Sequence, residues 1–89
     1  MTETGILTAA ITYYGERLQE EVAVEELSEL TQAIIHKHRG RDHNIAEEIA
    51  DVEIMLAQLK IINLCADEVA DIKKDKLESL KLDILEKNG

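Results

Sequence analysis

The chain has 89 residues, no proline, two tyrosines as its only aromatic residues and a formal net charge of −9. The length fits one domain over residues 1–89, and an apolar content dominated by Ala, Ile, Leu and Val favours an all-α protein. The negative charge argues against nucleic acid as a partner, because binding to the phosphate backbone depends mainly on Lys and Arg.

Apolar residues recur at helical spacing along the first part of the chain and predict two helices. The first is expected from Ile6 to Tyr14, with Gly15 loosening the join to the next. The second is expected from Glu16 to His36 or Lys37. Its inward stripe alternates steps of four and three residues, as in an amphipathic helix, through Ala23, Leu27, Leu30 and Ile34.

A polar segment, HKHRGRDHN at residues 36–44, separates the second helix from the third. We expect Gly40 to end the second helix in the left-handed conformation, and Asn44 or Asp42 to cap the third. Because the connection is short, the two helices should pack antiparallel. The predicted inward stripe of the third helix is Ile45, Ile49, Val52, Leu56 and Leu59.

The periodicity slips around NLCADE, residues 63–68, and a fourth helix is expected from Ala66 or Asp67 to about Glu86. These elements predict a four-helix antiparallel bundle. So short a chain buries a modest part of its surface, so we expect the bundle to be completed by a homodimer, or within a homotetramer. The inward residues of the fourth helix are predicted to be Val69, Ile72, Leu77, Leu80 and Ile84.

Localisation is indicated by the single cysteine and by the absence of a long apolar segment. Cys65 has no second cysteine to pair with, which favours a reducing cytoplasm. The segment MTETGILTAA lacks the basic region and apolar core of a signal peptide, and no run of about eighteen apolar residues is present. We therefore expect a cytoplasmic protein with no membrane partner.

One acidic pattern occurs twice, as EELSEL at residues 25–30 and as EEIADV at residues 47–52. At about 100° per residue, Glu26 and Glu29 lie roughly 60° and 120° from the middle of the second helix's stripe. Glu48 and Asp51 lie at the corresponding angles on the third helix. If the helices pair antiparallel, we expect the four carboxylates to converge.

Partial burial of four unpaired carboxylates is costly unless a cation offsets their charge. An all-oxygen donor set suits a hard ion, so we expect Mg²⁺, with Mn²⁺ as the alternative. The competing interpretation, that both acidic pairs are simply solvated helix faces, has about equal weight on chemistry alone. His36, His38 and His43 do not share one helix face, which disfavours a zinc site.

The spacing Glu25-Glu26-x-x-Glu29 followed by Glu48-x-x-Asp51 resembles the EExxE…ExxD signature of MazG-like all-α nucleoside triphosphate pyrophosphohydrolases. The resemblance spans most of the chain. YGERLQ at residues 14–19 and KKDKLESL at residues 73–80 are also similar to what family members carry.

The resemblance implies Mg²⁺-dependent cleavage of a nucleoside triphosphate, the substrate, to the monophosphate and pyrophosphate. Under it, Glu25 orients or deprotonates the attacking water, and Lys73 and Lys76 contact the phosphates. It also places Tyr14 and Gln19 near the base. The implied metal ligands are Glu26, Glu29, Glu48 and Asp51.

Other interpretations stay open. The alternative from another class is a non-catalytic acidic helical module that binds a basic protein partner through its acidic flank. The lysines of the fourth helix could equally be a solvent-facing row, and core packing explains Tyr14 as well as base stacking does. Arg39 and Arg41 could close over a triphosphate, although solvation at a helix end explains them better. A di-iron carboxylate bundle is disfavoured because Glu-x-x-His pairs are absent.

Overall fold

The computed structural model describes residues 1–88, which form four α-helices and no strand: α1 (Glu3–Tyr14), α2 (Glu16–His38), α3 (Ile45–Ile62) and α4 (Ala66–Asn88). The predicted all-α class is confirmed. Across this described part of the chain, each helix is too short or too polar to traverse the hydrocarbon layer of a bilayer.

Local side-chain and backbone chemistry sets the limits of α1. The helix begins three residues before the predicted start, because Thr2 Oγ1 accepts a hydrogen bond of 3.0 Å from the Gly5 N–H and caps it. At the other end the Gly15 N–H donates to the Ile11 carbonyl at 2.8 Å. Gly15 has φ of 94°, a conformation that only glycine adopts without strain, so the chain changes direction here into α2.

The turn between α2 and α3 confirms one prediction and corrects another. Gly40 has φ of 69°, in the left-handed region, and follows the end of α2 as expected. Asn44 directly precedes α3, but its side chain makes no capping bond to the helix backbone. Its Nδ2 instead donates to Glu48 Oε1 at 2.7 Å, so the predicted cap residue supports a carboxylate.

The core lies where α2 and α3 pack together and α1 packs against both. The predicted stripes are only partly buried: Ala23 and Val52 are buried, whereas Leu27 is 43% exposed and Ile49 is 43% exposed. Burial is displaced toward the acidic side of each stripe, away from Leu27 and Ile49. The buried residues are Leu7, Ile11, Gln19, Ala23, Ala33, Glu48, Val52, Met55 and Gln58.

Helix α4 stands apart from the other three. Among the helices of residues 1–88 it contacts α3 and neither α1 nor α2. The predicted inward orientation of its aliphatic residues is wrong for a single chain: Val69 is half-buried, and all of residues 70–87 are exposed. The molecule is accordingly elongated, with extents of 52 × 37 × 23 Å.

Candidate metal centre

The duplicated pattern predicts four converging carboxylates, and three of them, from α2 and α3, converge in the structure. One oxygen each of Glu26, Glu29 and Glu48 lies within 4.8 Å of the others. Ala23 and Val52 are buried nearby in the sequence on the same two helices, so the packing of α2 on α3 holds the acids at this separation. We call Glu26, Glu29, Glu48 and the adjacent Asp51 the acidic cluster.

Glu48 is the most buried member, at 7% exposure. Its Oε1 accepts the hydrogen bond from Asn44, one turn earlier, which fixes the direction of the carboxylate. Its Oε2 is buried with no hydrogen-bond partner among the described residues. A carboxylate oxygen in this condition is costly unless a proton or a cation reaches it.

The pKa of Glu26 is raised above its ordinary value. Burial is the largest cause, because loss of water disfavours the charged form. The negative charges of Glu29, Asp51 and Glu48 raise the pKa further, and so does a hydrogen bond with Asp51 that exists only when one of the two is protonated. Without a cation, Glu26 therefore loses its proton at a higher pH than an isolated glutamate does.

Asp51 is half-buried on α3 and lies beside Glu26, although it is not one of the three acids within 4.8 Å of one another. Glu29 is exposed. Side-chain exposure thus increases across the cluster from the buried Glu48 to the exposed Glu29. One side of the cluster is therefore accessible to water and to a ligand.

The donor set fits a hard divalent cation. Glu26 Oε2 and Glu48 Oε2 are both buried without a hydrogen-bond partner in the described residues, and all four side chains offer carboxylate oxygens. Within residues 1–88 the ion pairs are Arg17–Glu21 and Lys81–Glu78, so no basic side chain neutralises the cluster. Oxygen ligands with an open side suit Mg²⁺ or Mn²⁺ better than zinc.

Glu25, the predicted catalytic residue, is exposed and lies outside the group of converging carboxylates. It is about 100° around α2 from Glu26, so the two adjacent acids have different surroundings. Its role stays a prediction. Glu47, its counterpart on α3, is also exposed.

The two predicted base contacts differ in accessibility. Tyr14 is 56% exposed, so it is not packed in the core of the single chain, and its ring meets Tyr13 edge to face at 4.8 Å between centroids. Gln19 is buried. Neither residue belongs to the acidic cluster.

The sequence interpretation missed two polar residues that the structure singles out. Asn44 supports Glu48, and the amide-to-acid spacing of four residues across a helix start was the available signal. Gln58 is only 3% exposed, and its Oε1 lacks a hydrogen-bond partner among the described residues. It lies about 140° from the middle of the predicted stripe of α3, so the spacing contained no signal for its burial.

The structure does not bring Lys73 and Lys76 to the acidic cluster within one chain. Both lie on exposed α4, which contacts only α3 among the other helices described. Lys73 lines a cavity with Leu56 and Leu59 of α3, which lie about two and three turns beyond Glu48. The cluster and the lysines are therefore separate features of the monomer.

Comparisons of the chain with models of known families, with curated proteins and with solved structures found no match. The function is therefore inferred from the acidic cluster and from the motif resemblance.

Proposed function

We propose that the chain is a divalent-cation-dependent pyrophosphohydrolase of nucleoside triphosphates, producing the nucleoside monophosphate and pyrophosphate. The observation that carries the proposal is the convergence of Glu26, Glu29 and Glu48, with buried and unpartnered oxygens on two of them. Such oxygens are what a cation would satisfy. The reaction itself is the one that the MazG-like motif spacing implies.

Glu26, Glu29, Glu48 and Asp51 would hold the Mg²⁺, or Mn²⁺ in its place. When bound, the cation supplies charge neutralisation and Lewis-acid polarisation of the phosphoryl group. Asn44 orients Glu48 through its 2.7 Å hydrogen bond and so preorganises the ligand set.

Glu25 is assigned to the attacking water, following the resemblance. Its carboxylate is exposed, so water reaches it, and its neighbour Glu26 belongs to the cluster. The exposed ring of Tyr14 offers a surface for stacking on a base, and Gln19 would contribute an amide. Both base contacts depend on the resemblance alone.

A homo-oligomer is part of the proposal, as a dimer or a tetramer in the cytoplasm. One chain offers few walls for a nucleotide, since all of residues 70–87 are exposed on α4. The phosphate contacts implied for Lys73 and Lys76 would require the α4 of another copy to lie beside the acidic cluster.

The deciding experiment measures pyrophosphate release from a panel of ribo- and deoxyribonucleoside triphosphates with Mg²⁺, Mn²⁺ or EDTA. We expect release with either cation and none in EDTA. Glu48→Gln should lower kcat about 100-fold or more, because it removes a buried ligand. Glu47→Gln, which changes the exposed neighbour, is the matched control and should keep wild-type activity.

The second candidate is the acidic interaction module that does no chemistry, and the exposed aliphatic residues of α4 favour an association role of this kind. It predicts no pyrophosphate from any substrate and no effect of divalent cations on thermal stability at constant ionic strength. Cation-dependent activity that Glu48→Gln leaves unchanged would overturn the metal-site assignment.

A further inference from the structure

A partly open cavity of about 450 Å³ lies between α3 and α4, at the turn that joins them. Its size is within the range of about 300–1,000 Å³ that is typical of small-molecule sites. Helix α4 packs on α3 alone among the helices described, so these two helices and their turn supply the lining. We call it the α3–α4 cavity; its apolar walls are Leu56, Leu59, Cys65 and Val69.

Two lysines line the α3–α4 cavity in a chain of net charge −9. Lys60 is half-buried on α3, and Lys73 is exposed on α4. Neither lysine belongs to an ion pair formed within residues 1–88, and the described lining contains no Asp or Glu. An apolar cavity with a cationic rim therefore occurs in a protein that is acidic as a whole, which favours an anionic ligand.

Hydrogen bonds hold the turn at the end of the α3–α4 cavity. The Asn63 side chain donates from Nδ2 to the Leu59 carbonyl at 2.9 Å. The Cys65 N–H donates to the Lys60 carbonyl at 3.1 Å, and the Val69 N–H donates to the Cys65 carbonyl at 2.9 Å. The walls on both helices are thus fixed to one turn, as expected of a site that is largely formed before its ligand binds.

The lining defines the chemistry of an occupant. Its apolar walls suit an aliphatic chain, and its two ammonium groups suit a carboxylate. From Leu56 to Asn63 the lining follows α3 for seven residues, about 10 Å, which is the extended length of a chain of about eight carbons. A single negative charge also adds the least repulsion with a protein that already carries net charge −9.

We propose that the α3–α4 cavity binds a free aliphatic monocarboxylate of medium chain length. Its chain lies against Leu59 and Val69, and its carboxylate lies between the ammonium groups of Lys60 and Lys73. The proposal goes beyond the catalytic function and does not depend on it, because the cavity lies about two to three turns along α3 from Glu48. It competes with the phosphate contact implied for Lys73.

The first test is a chain-length series from butanoate to dodecanoate, titrated into the full chain by calorimetry below the micelle concentration. Affinity should rise about 3–4-fold for each added methylene and level off near about eight carbons, when the cavity is filled. Octan-1-ol should bind about 10-fold more weakly than octanoate, and octylamine more weakly still. Affinity that rises to dodecanoate without levelling off would overturn the proposal, as would no binding of octanoate at millimolar concentration.

The second test uses variants of the lining. Lys60→Gln and Lys73→Gln should each weaken octanoate binding about 5–10-fold and leave octan-1-ol binding unchanged. Lys74→Gln is the matched control, because Lys74 is exposed beside Lys73 but lies outside the lining. Val69→Trp should abolish binding by filling the cavity, with helix content checked by circular dichroism. Wild-type octanoate affinity in both lysine variants would refute the site, whether or not Val69→Trp folds.

The third test uses Cys65 as a local probe. It is the only cysteine of the chain and lines the cavity, so the rate of its reaction with a disulfide reagent reports on this place alone. Saturating octanoate should slow the reaction about 10-fold or more, and equimolar NaCl should not. An unchanged rate with octanoate bound would place the ligand elsewhere and overturn the proposal.

The same reaction distinguishes the ligand from a second copy of the chain. A Cys65 thiol that reacts slowly without octanoate, and faster on dilution of the protein, would show that another copy covers the cavity and would overturn the proposal. Glu48→Gln should keep wild-type octanoate affinity. The failure of the α3–α4 cavity and the failure of the metal centre are therefore separate results.

Discussion

Glu48→Gln should change thermal stability in opposite directions with and without a divalent cation. In the cation-free protein the substitution removes one charge from three acids whose oxygens lie within 4.8 Å of one another. Two unit charges about 5 Å apart repel by about 1 kcal/mol in water and by about 3 kcal/mol at an effective dielectric constant of 20. The new amide also keeps the hydrogen bond from Asn44 and can donate to the unpartnered Glu26 Oε2.

We therefore expect Glu48→Gln to stabilise the protein in EDTA by about 1 kcal/mol, which raises Tm by about 4–8 °C in a domain of this size. With Mg²⁺ at ten times its Kd, wild type should gain about 1.4 kcal/mol, or about 6–11 °C. The variant, which lacks a buried ligand, should gain little. The difference in Tm between the two proteins should narrow, or change sign, when Mg²⁺ is added.

The assay is thermal unfolding by circular dichroism in EDTA, in MgCl₂ and in NaCl of matched ionic strength, at one protein concentration. Glu47→Gln is the control, since Glu47 is exposed and should stay within about 0.5 kcal/mol of wild type in every condition. A Glu48→Gln variant that is less stable than wild type in EDTA would refute the charge-repulsion reasoning. Equal gains from Mg²⁺ in the two proteins would refute the ligand assignment.

Asn44→Ala should weaken Mg²⁺ binding about 10–100-fold, measured by isothermal titration calorimetry, because it removes the donor that orients Glu48; an unchanged Kd would contradict the positioning role. In EDTA, the free energy of unfolding should fall as pH rises from about 4.5 through the raised pKa of Glu26, because over that window the folded state holds a proton that the unfolded state has lost. Urea denaturation across pH would show this slope, and Glu26→Gln should flatten it; a slope of the opposite sign would be inconsistent with the raised pKa. Gly40→Ala should lower the free energy of unfolding by about 1 kcal/mol, since φ is 69° there, and a chemical-denaturation midpoint equal to that of wild type would argue against the left-handed turn.

Residues close in sequence were predictable because their chemistry acts locally. Gly15 and Gly40 were expected at helix ends and have positive φ at those ends, and α2 and α4 begin and end within about two residues of the predicted limits. The start of α1 was missed by three residues because the Thr2 cap was overlooked.

The acidic cluster was also accessible from the sequence, in part. Glu26 with Glu29, and Glu48 with Asp51, are related by helical spacing, and the short connecting loop brings their helices together. The spacing did not predict how far each acidic side chain is buried. Glu48 is only 7% exposed, while the adjacent Ile49, which was predicted to face inward, is 43% exposed. The support from Asn44 likewise depends on how the turn approaches α3.

The sequence by itself determined that the chain is helical, where the helices end, and which side chains share a helix face, because these properties follow from about 3.6 residues per turn and from local capping. Only the tertiary structure decided which side of each aliphatic stripe is covered, because the rotation of a helix about its own axis is set by its neighbours. Here α1 packs against both α2 and α3, and α4 leaves the chain's core with its aliphatic residues exposed. Periodicity identifies a face, but packing alone determines what that face contacts.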